Sequence, residues 1–228
     1  MTDEPHRTDA GLRLWLVRHG RTLFNEREIA QGWCDSPLLE EGRSQVHRLA
    51  AELIHVPWAG VYSSTSERAM DTAEILVGDR LPIVRDRRWK EYNFGAWEAR
   101  ANDEVFAELN RIGAPGDSPS VRLRGLYSGD FPALENGETG ADFSARVADA
   151  IADIRAAHDV GDVLVVTHGM TIGVAVGQTD PAFEYGRGVD NASLTLIEYA
   201  PDDSAMIRAI GAQSPRDIPD RVPDFGRT

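Results

Sequence analysis

Two apolar runs in this chain stop at histidines. "LWLV" ends in Arg18-His19-Gly20, and "LVVT" ends in His168-Gly169. Each run reads as a strand, and in an open α/β sheet ligands gather outside the carboxyl ends of the strands. Both imidazoles then share one crevice, with a glycine after each to permit a sharp turn and close backbone approach. A third run, Val61-Tyr62-Ser63, leads into the helical "SSTSERAMDTAEIL", whose first turn carries Arg68. A cation there opposes the helix dipole, by a few tenths to about 1 kcal/mol, and a bound anion would offset that. A guanidinium beside a helix N-terminus suits phosphate. Each feature alone has a plainer reading: His19 as a strand-end histidine bonded to a carbonyl, "THG" as a turn, Arg68 as a solvated helix arginine.

The elements that must hold these groups follow from the apolar pattern. Leu12–Val17 reads as a strand, Gly42–Ile54 as a helix with Val46, Leu49, Ala50 and Leu53 on one side, and Val61–Ser63 as a short strand end. Ser64 and Glu67 stand in capping-box spacing at the next helix. "LPIVRD" reads as an edge strand with Pro82 at its start, and Asn102–Ile112 as a helix. Thr139–His158 is helical, with Phe143, Val147, Ala150, Ile151 and Ile154 at helical spacing. "DVLVVTH" has the continuous apolar character of a buried parallel strand. "SLTLIEY" and "AMIRAI" read as two antiparallel neighbours around Pro201-Asp202-Asp203. Gly113–Gly137 has no period and is rich in Gly, Pro and Ser, so a lid or an ill-ordered insertion is expected there, with the wider lid region spanning about 100–137. Residues 1–10 read as a loose terminus and 213–228 as a flexible tail. Strands alternating with helices predict one α/β domain over 1–228, a three-layer α/β/α sandwich with a mainly parallel central sheet and a small lid insertion.

Composition narrows the partners. The net charge is −13, which disfavours nucleic acid or an anionic membrane. Any anionic substrate must therefore meet a local cation cluster. Nearly all the cations are arginine, Lys90 being the only lysine, and arginine's planar fork fits phosphate. The single cysteine, Cys34, allows neither an internal disulfide nor a multi-cysteine metal site. The acidic, polar "MTDEPHRTDAG" carries no apolar core of a signal peptide, and no apolar stretch reaches about 18 residues. A cytoplasmic protein is expected, and a homodimer stays open.

The motifs together resemble the histidine phosphatase superfamily, also called phosphoglycerate mutase-like. "RHGRTLFN" matches its R-H-G-x-T-x-x-N signature at Arg18, His19, Gly20, Thr22 and Asn25, and "QGWCDSPL" its Q-G-x-x-D-S-P-L from Gln31 to Leu38. "SSTSERAMDTA" matches S-S-x-x-x-R-A-x-x-T-A with Arg68 at the arginine. "KEYNFGAWE" matches the E-x-x-F-G-x-W-E block at Glu91, Phe94, Gly95, Trp97 and Glu98. "NGETGADFSARV" resembles the G-E-S helix start with Thr139 for Ser, "VTHGM" the second histidine motif, and "NASLTLIEY" the N-x-S strand. The order and spacing agree over roughly residues 12–200. Two departures stand out: Leu39 replaces the Thr that often follows "DSPL", predicting a weaker helix cap, and "GMTIGVAVGQ" replaces the usual "GGVIRAL" type.

The resemblance implies a reaction. A neutral His19 nitrogen attacks phosphorus and forms a phosphohistidine. Arg18, Arg68 and a protonated His168 hold the non-bridging oxygens. Glu91 protonates the leaving alkoxide and then acts as base toward water, with Glu98 and Glu104 as neighbouring carboxylates. Asn25, Thr22, Gln31, Gly32 and Gly169 are carried as further substrate- or phosphate-binding positions. No metal and no cofactor is implied. Arg21 is expected on the rim, Cys34, Trp33 and Trp97 in packing (Trp33 also at the site mouth), and His6, His47, His55 and His158 as structural or solvated. Arg122 and Arg124 stay open between solvent and substrate. Cofactor-dependent mutases of the family carry a longer basic insertion after the proton-donor block, with a Tyr-Gly-Gly-Leu-type segment; here "ARANDEVFAELNRIGAPGDS" is acidic and lacks it. The resulting expectation is a metal-independent phosphomonoesterase acting on a small phosphorylated metabolite. The alternatives are a phosphoglycerate mutase or related phosphotransferase, and a non-catalytic phospho-ligand-binding relative.

Overall fold

Alternation along β1 (Leu12–Arg18) decides how the sheet is covered. Leu12, Leu14 and Leu16 join one apolar cluster, and Trp15 and Val17 another. Successive strand side chains point to opposite faces, so a strand apolar at every position needs a layer on each side. The computed structural model describes residues 11–116, 118–183 and 188–218. After β1 come a single turn, α1 (Leu23–Glu26), then α2 (Glu40–Glu52), β2 (Trp58–Ser63), α3 (Glu67–Val77) and a two-residue β3 (Val84–Arg85). They are followed by α4 (Asn102–Arg111), α5 (Pro119–Ser128), α6 (Gly140–Ala157), β4 (Gly161–Thr167), α7 (Gly169–Thr179), β5 (Leu194–Tyr199) and β6 (Ala205–Ala212).

The sheet order is β3-β2-β4-β1-β5-β6. β3, β2, β4 and β1 run parallel, and β5 pairs antiparallel with both β1 and β6. α2 and α3 cover one face through Val46, Leu49, Ala69, Ala73 and Leu76. α4 to α7 cover the other. On α6 the predicted stripe is the buried one: Phe143, Val147, Ala150, Ile151 and Ile154 all face the core, each large side chain contributing roughly 1.5–3 kcal/mol of burial. The expected α/β/α sandwich is therefore the architecture. No helix among the described residues is long and apolar enough to cross a membrane.

α2 starts behind Leu39, which supplies no side-chain cap, and Glu40 and Glu41 fill its first turn, as the weaker cap required. The aperiodic stretch 113–137 is not a bare loop: it contains α5. Ser118 accepts a hydrogen bond from Val121 N at 3.3 Å, Pro119 opens the helix, and Gly129 closes it in the left-handed region at φ 84°. Only Leu123, Gly125 and Leu126 of α5 are buried among its described side chains, too few to announce a helical period. The tail is also partly ordered: Pro215–Asp217 forms a 3-10 turn and Ile218 is buried in the α2–α3 cluster. Residues 219–228 and 1–10 lie outside the described residues.

The second departure has a packing reason. A Cβ at Gly177 would stand 2.0 Å from Tyr127 Cδ1, and one at Gly173 2.5 Å from Leu123 Cδ1. The two glycines, one helical turn apart, let α5 lie directly on α7.

Candidate active site

The parallel register of β1 and β4 pairs Arg18 with Thr167. The next residue on each strand is a histidine, so the imidazoles meet at the strand tips with ring centroids 5.2 Å apart. His19 N donates to Thr167 O at 3.0 Å, tying the tips together. Both rings are buried. His19 Nδ1 contacts Gly20 O at 2.8 Å, and a carbonyl there requires Nδ1 to carry the proton. Nε2 is left with its lone pair, facing Arg68 Nε at 3.3 Å. His168 is the other tautomer in function: Nδ1 takes Arg68 Nη2 at 3.0 Å, and Nε2 stands 2.8 Å from Ser64 Oγ. An arginine has no acceptor, so His168 Nδ1 is unprotonated. Burial, then the charges of Arg68 and Arg18, holds His19 well below the usual histidine value. Burial, then Arg68, does the same to His168. A guanidinium donating to its Nδ1 keeps the His168 ring neutral here, whereas the expected protonated His168 is the ring that holds phosphate oxygens.

Arg68 is 1% exposed, and the anion that offsets it belongs to the chain. Asp35 Oδ1 lies 2.7 Å from Arg68 Nη1, while Oδ2 accepts from Glu67 N at 2.7 Å. Asp35 therefore caps α3 from a distant segment and neutralises the awkward cation of its first turn. The expected Ser64–Glu67 capping box does not form; Ser66 is the cap position and makes no side-chain cap bond. The carbonyls of Gly32 and Cys34 accept from Arg68 at 2.8 and 2.9 Å, fixing the fork.

Glu91 faces the same space from the turn before Tyr92. Its Oε2 accepts from Met170 N at 2.9 Å; Oε1 accepts from Tyr92 N at 3.0 Å, Thr171 N at 3.1 Å and Thr171 Oγ1 at 3.2 Å. Two of those amides open α7. Burial raises the Glu91 pKa, against the Met170 and Tyr92 amides and the charges of Arg68 and Arg18. The competing carboxylates are spent elsewhere. Glu98 takes the amides of Gly32, Trp33, Cys34 and Phe94, and Glu104 is exposed beside Arg100.

A cavity of about 370 Å³ opens over this cluster. Arg18, His19, Asn25, Gln31, Glu91 and Gly169 form its polar side; Ile29, Phe94, Phe106, Leu123, Leu126, Met170 and Val189 are its apolar side, with Asn102 and Arg122 among them.

The sequence profile of the histidine phosphatase superfamily (branch 1) matches residues 14–210. The chain belongs to the histidine phosphatase superfamily. Among relatives, "Putative phosphoserine phosphatase 2" of Hydrogenobacter thermophilus is 31% identical over 207 residues, covering 86% of this chain and 93% of the relative. A phosphoglycerate mutase structure from Bacillus anthracis superposes with a TM-score of 0.78 at 28% identity, over 90% of this chain and 95% of that one. A mycobacterial glucosyl-3-phosphoglycerate phosphatase, solved with VO3, gives 0.71 at 26% identity, over 88% and 98%.

Within this histidine phosphatase the expected site residues sort into layers. Arg18, His19, Asn25, Gln31, Glu91 and Gly169 line the cavity. Arg68 and His168 do not; they stand one layer deeper, behind His19. Thr22 and Gly32 are buried off the cavity. Thr22 caps α1 and meets the Gln31 amide at 2.8 Å, the amide nitrogen facing it and the amide oxygen facing Arg68 Nη1 at 3.2 Å. A Cβ on Gly32 would come within 2.0 Å of Tyr92 O, so close approach explains that glycine. Arg21 pairs with Glu26 and Glu41 on the surface. Trp33 packs beneath Lys90, outside the cavity, and burial with Glu98 nearby pushes the Cys34 thiol up to about 12. His47 and His55 are exposed, His158 bonds Tyr62 OH at 2.9 Å, and His6 lies outside the described residues. Four residues of the site were absent from the expected set: Asp35, Ser64, Thr171 and Asn191, whose Nδ2 bridges His19 O and Asn25 Oδ1 at 3.0 and 3.1 Å. Asp35, Ser64 and Asn191 sit inside motifs already quoted; Thr171 carries no spacing signal.

Proposed function

We propose that this histidine phosphatase is a phosphomonoesterase working through a phosphohistidine at His19. The observation that carries this is the His19 ring: Nδ1 fixed on Gly20 O, and Nε2 unprotonated in a ring that lines the same cavity as Glu91. Nε2 attacks phosphorus, the P–N bond forms as the ester P–O bond breaks, and Glu91 gives its proton to the leaving oxygen. Water then attacks phosphorus and gives a proton to Glu91; the P–N bond breaks, releasing phosphate and neutral His19. Arg18 meets the non-bridging oxygens from the cavity wall. The phosphoryl group pressing on His19 takes over the Arg68 Nε–H, the longest of that guanidinium's contacts with the histidines. A dianion there also raises the His168 pKa, so that ring becomes a cation only with substrate in place. Asn25, Gln31 and the Gly169 amide side complete the cradle; Thr22 and Gly32 support it from behind.

A cavity of this size takes a small phosphorylated metabolite. The segment after Glu98 is acidic and lacks a longer basic insertion with a Tyr-Gly-Gly-Leu-type run, which favours hydrolysis over return of the phosphoryl group to a second sugar acid. With a lone cysteine and a charge of −13, we assign the activity to the cytoplasm, away from nucleic acid and membrane surfaces. We read the chain as one domain whose 100–137 segment walls the cavity.

The test is trapping. Wild-type protein mixed with a ³²P-labelled phosphomonoester and quenched in alkali carries label on one histidine, and His19→Ala carries none and does not turn over. Vanadate inhibits competitively, and EDTA leaves the rate unchanged. Label on the His19→Ala protein overturns the reading, and phosphoryl transfer from 3-phosphoglycerate to a second hydroxyl without net phosphate release replaces it with a mutase.

A further inference from the structure

Among the described residues, Arg122 is the one guanidinium on the apolar side of the cavity. Its Cζ lies 4.7 Å from the Phe106 ring centroid, over the face of that ring. Among the described residues its hydrogen-bond acceptor is a neutral amide, Asn110 Oδ1 at 3.2 Å, and no carboxylate pairs with it. Its Nε–H is buried without a partner. By contrast, Arg88, Arg111 and Arg146 each take a carboxylate within 2.7 Å. A buried donor without an acceptor is costly to leave unmet, and the cation is held in place by α5, which Gly173 and Gly177 seat on α7. The surrounding wall of Phe94, Phe106, Leu123 and Leu126 is apolar, with the neutral amide of Asn102 as the polar side chain beside them.

We propose that Arg122 makes the site selective for phosphomonoesters whose leaving group is an apolar body bearing a carboxylate. The phosphate end meets Arg18 and His19, the apolar body lies on Phe94, Phe106, Leu123 and Leu126, and the carboxylate meets the planar fork of Arg122, which matches its two oxygens. This rests on the phosphomonoesterase reading above. It concerns the leaving group alone, because Arg122 takes no part in transfer at phosphorus.

The experiment compares kcat/KM for phenyl phosphate with that for 3- and 4-carboxyphenyl phosphate, in wild type, Arg122→Met and Arg122→Lys. Using the ratio between substrates cancels general losses from altered folding. In wild type at least one carboxylated ester is preferred by about tenfold or more. In Arg122→Met that ratio falls by about 10–100-fold, mostly through KM, and Arg122→Lys recovers part of it. An unchanged ratio in Arg122→Met, or no carboxylate preference in wild type, overturns the inference while leaving the hydrolase reading intact. Failure of wild type to release phosphate from any of the three esters counts against the hydrolase reading itself.

Discussion

At the tips of β1 and β4 the reacting groups are caught in a mesh. His19, His168, Arg68 and Glu91 together engage Gly20, Ser64, Asp35, Gly32, Cys34, Tyr92, Met170 and Thr171. On the opposite side of the same cavity, α4 and α5 present aromatic and aliphatic side chains with one arginine whose Nε–H is unused. The tips are over-determined and the wall is under-determined. Preorganised dipoles act on charge that develops in a transition state, so the tips set the reaction. A wall built on an added helix acts on whatever is attached to phosphorus, so it sets the choice of substrate.

Breaking the tips should cost most. Arg68→Ala removes the donor shared by both histidines and strands Asp35; a kcat loss of about 10³-fold or more is expected. Arg68→Lys should recover little, because an ammonium cannot span His19, His168 and Asp35 at once. Steady-state kinetics with a folded-state check by circular dichroism decides this, and a loss under tenfold would show that the mesh is only structural. Glu91→Gln should follow, with a loss of about 10²–10⁴-fold on alkyl phosphates. The first-step loss should shrink for 4-nitrophenyl phosphate, whose leaving group needs no proton, as a burst of nitrophenol would reveal.

Disturbing the wall should change preference more than rate. Gly177→Ala gains up to about 1 kcal/mol of helix propensity but drives a methyl group into Tyr127, an overpacking typically costing 1–3 kcal/mol. The expected result is a melting temperature lowered by a few degrees and a several-fold rise in KM for bulky esters. The change in kcat for the smallest ester should be less than threefold. An equal change for all esters would mean that α5 supports the tips as well.

The same division explains what was legible beforehand. The strand ends at His19 and His168 announced themselves because the chemistry lies within three contiguous residues after an unbroken apolar run. α6 was legible because five core residues recur at helical spacing. α5 was not, since its described buried stripe is only Leu123, Gly125 and Leu126; its Ser118-Pro119 start and Gly129 stop were the usable signals. The awkward Arg68 was read correctly as needing an anion, but Asp35, 33 residues earlier, supplies it, and no local pattern links the two. The charge on His168 is not legible locally either: it depends on how Arg68 approaches the ring, a matter of tertiary packing alone.

That neutral charge state gives the smallest and cleanest difference between the regions. The native pKa values of His19 and His168 lie well below 6.5, through burial and then Arg68. Below pH 6.5 the unfolded chain therefore binds protons that the native tips refuse. The stability these rings contribute is present above pH 6.5 and falls as the pH drops, by up to about 1.4 kcal/mol per pH unit for each histidine, until the native rings also protonate. Glu91, with its raised pKa, works the other way in the window just above 4.5, favouring the native state while protonated and losing that contribution as pH rises. His168→Gln keeps an acceptor for Arg68 and a donor for Ser64 but cannot titrate. Urea midpoints measured from pH 8 to 5.5 should therefore fall less steeply in His168→Gln than in wild type, whereas Arg122→Met, which alters only the wall, should run parallel to wild type. Parallel curves for His168→Gln would mean that the ring titrates alike in the native and unfolded chains, and the neutral tip would have to be abandoned.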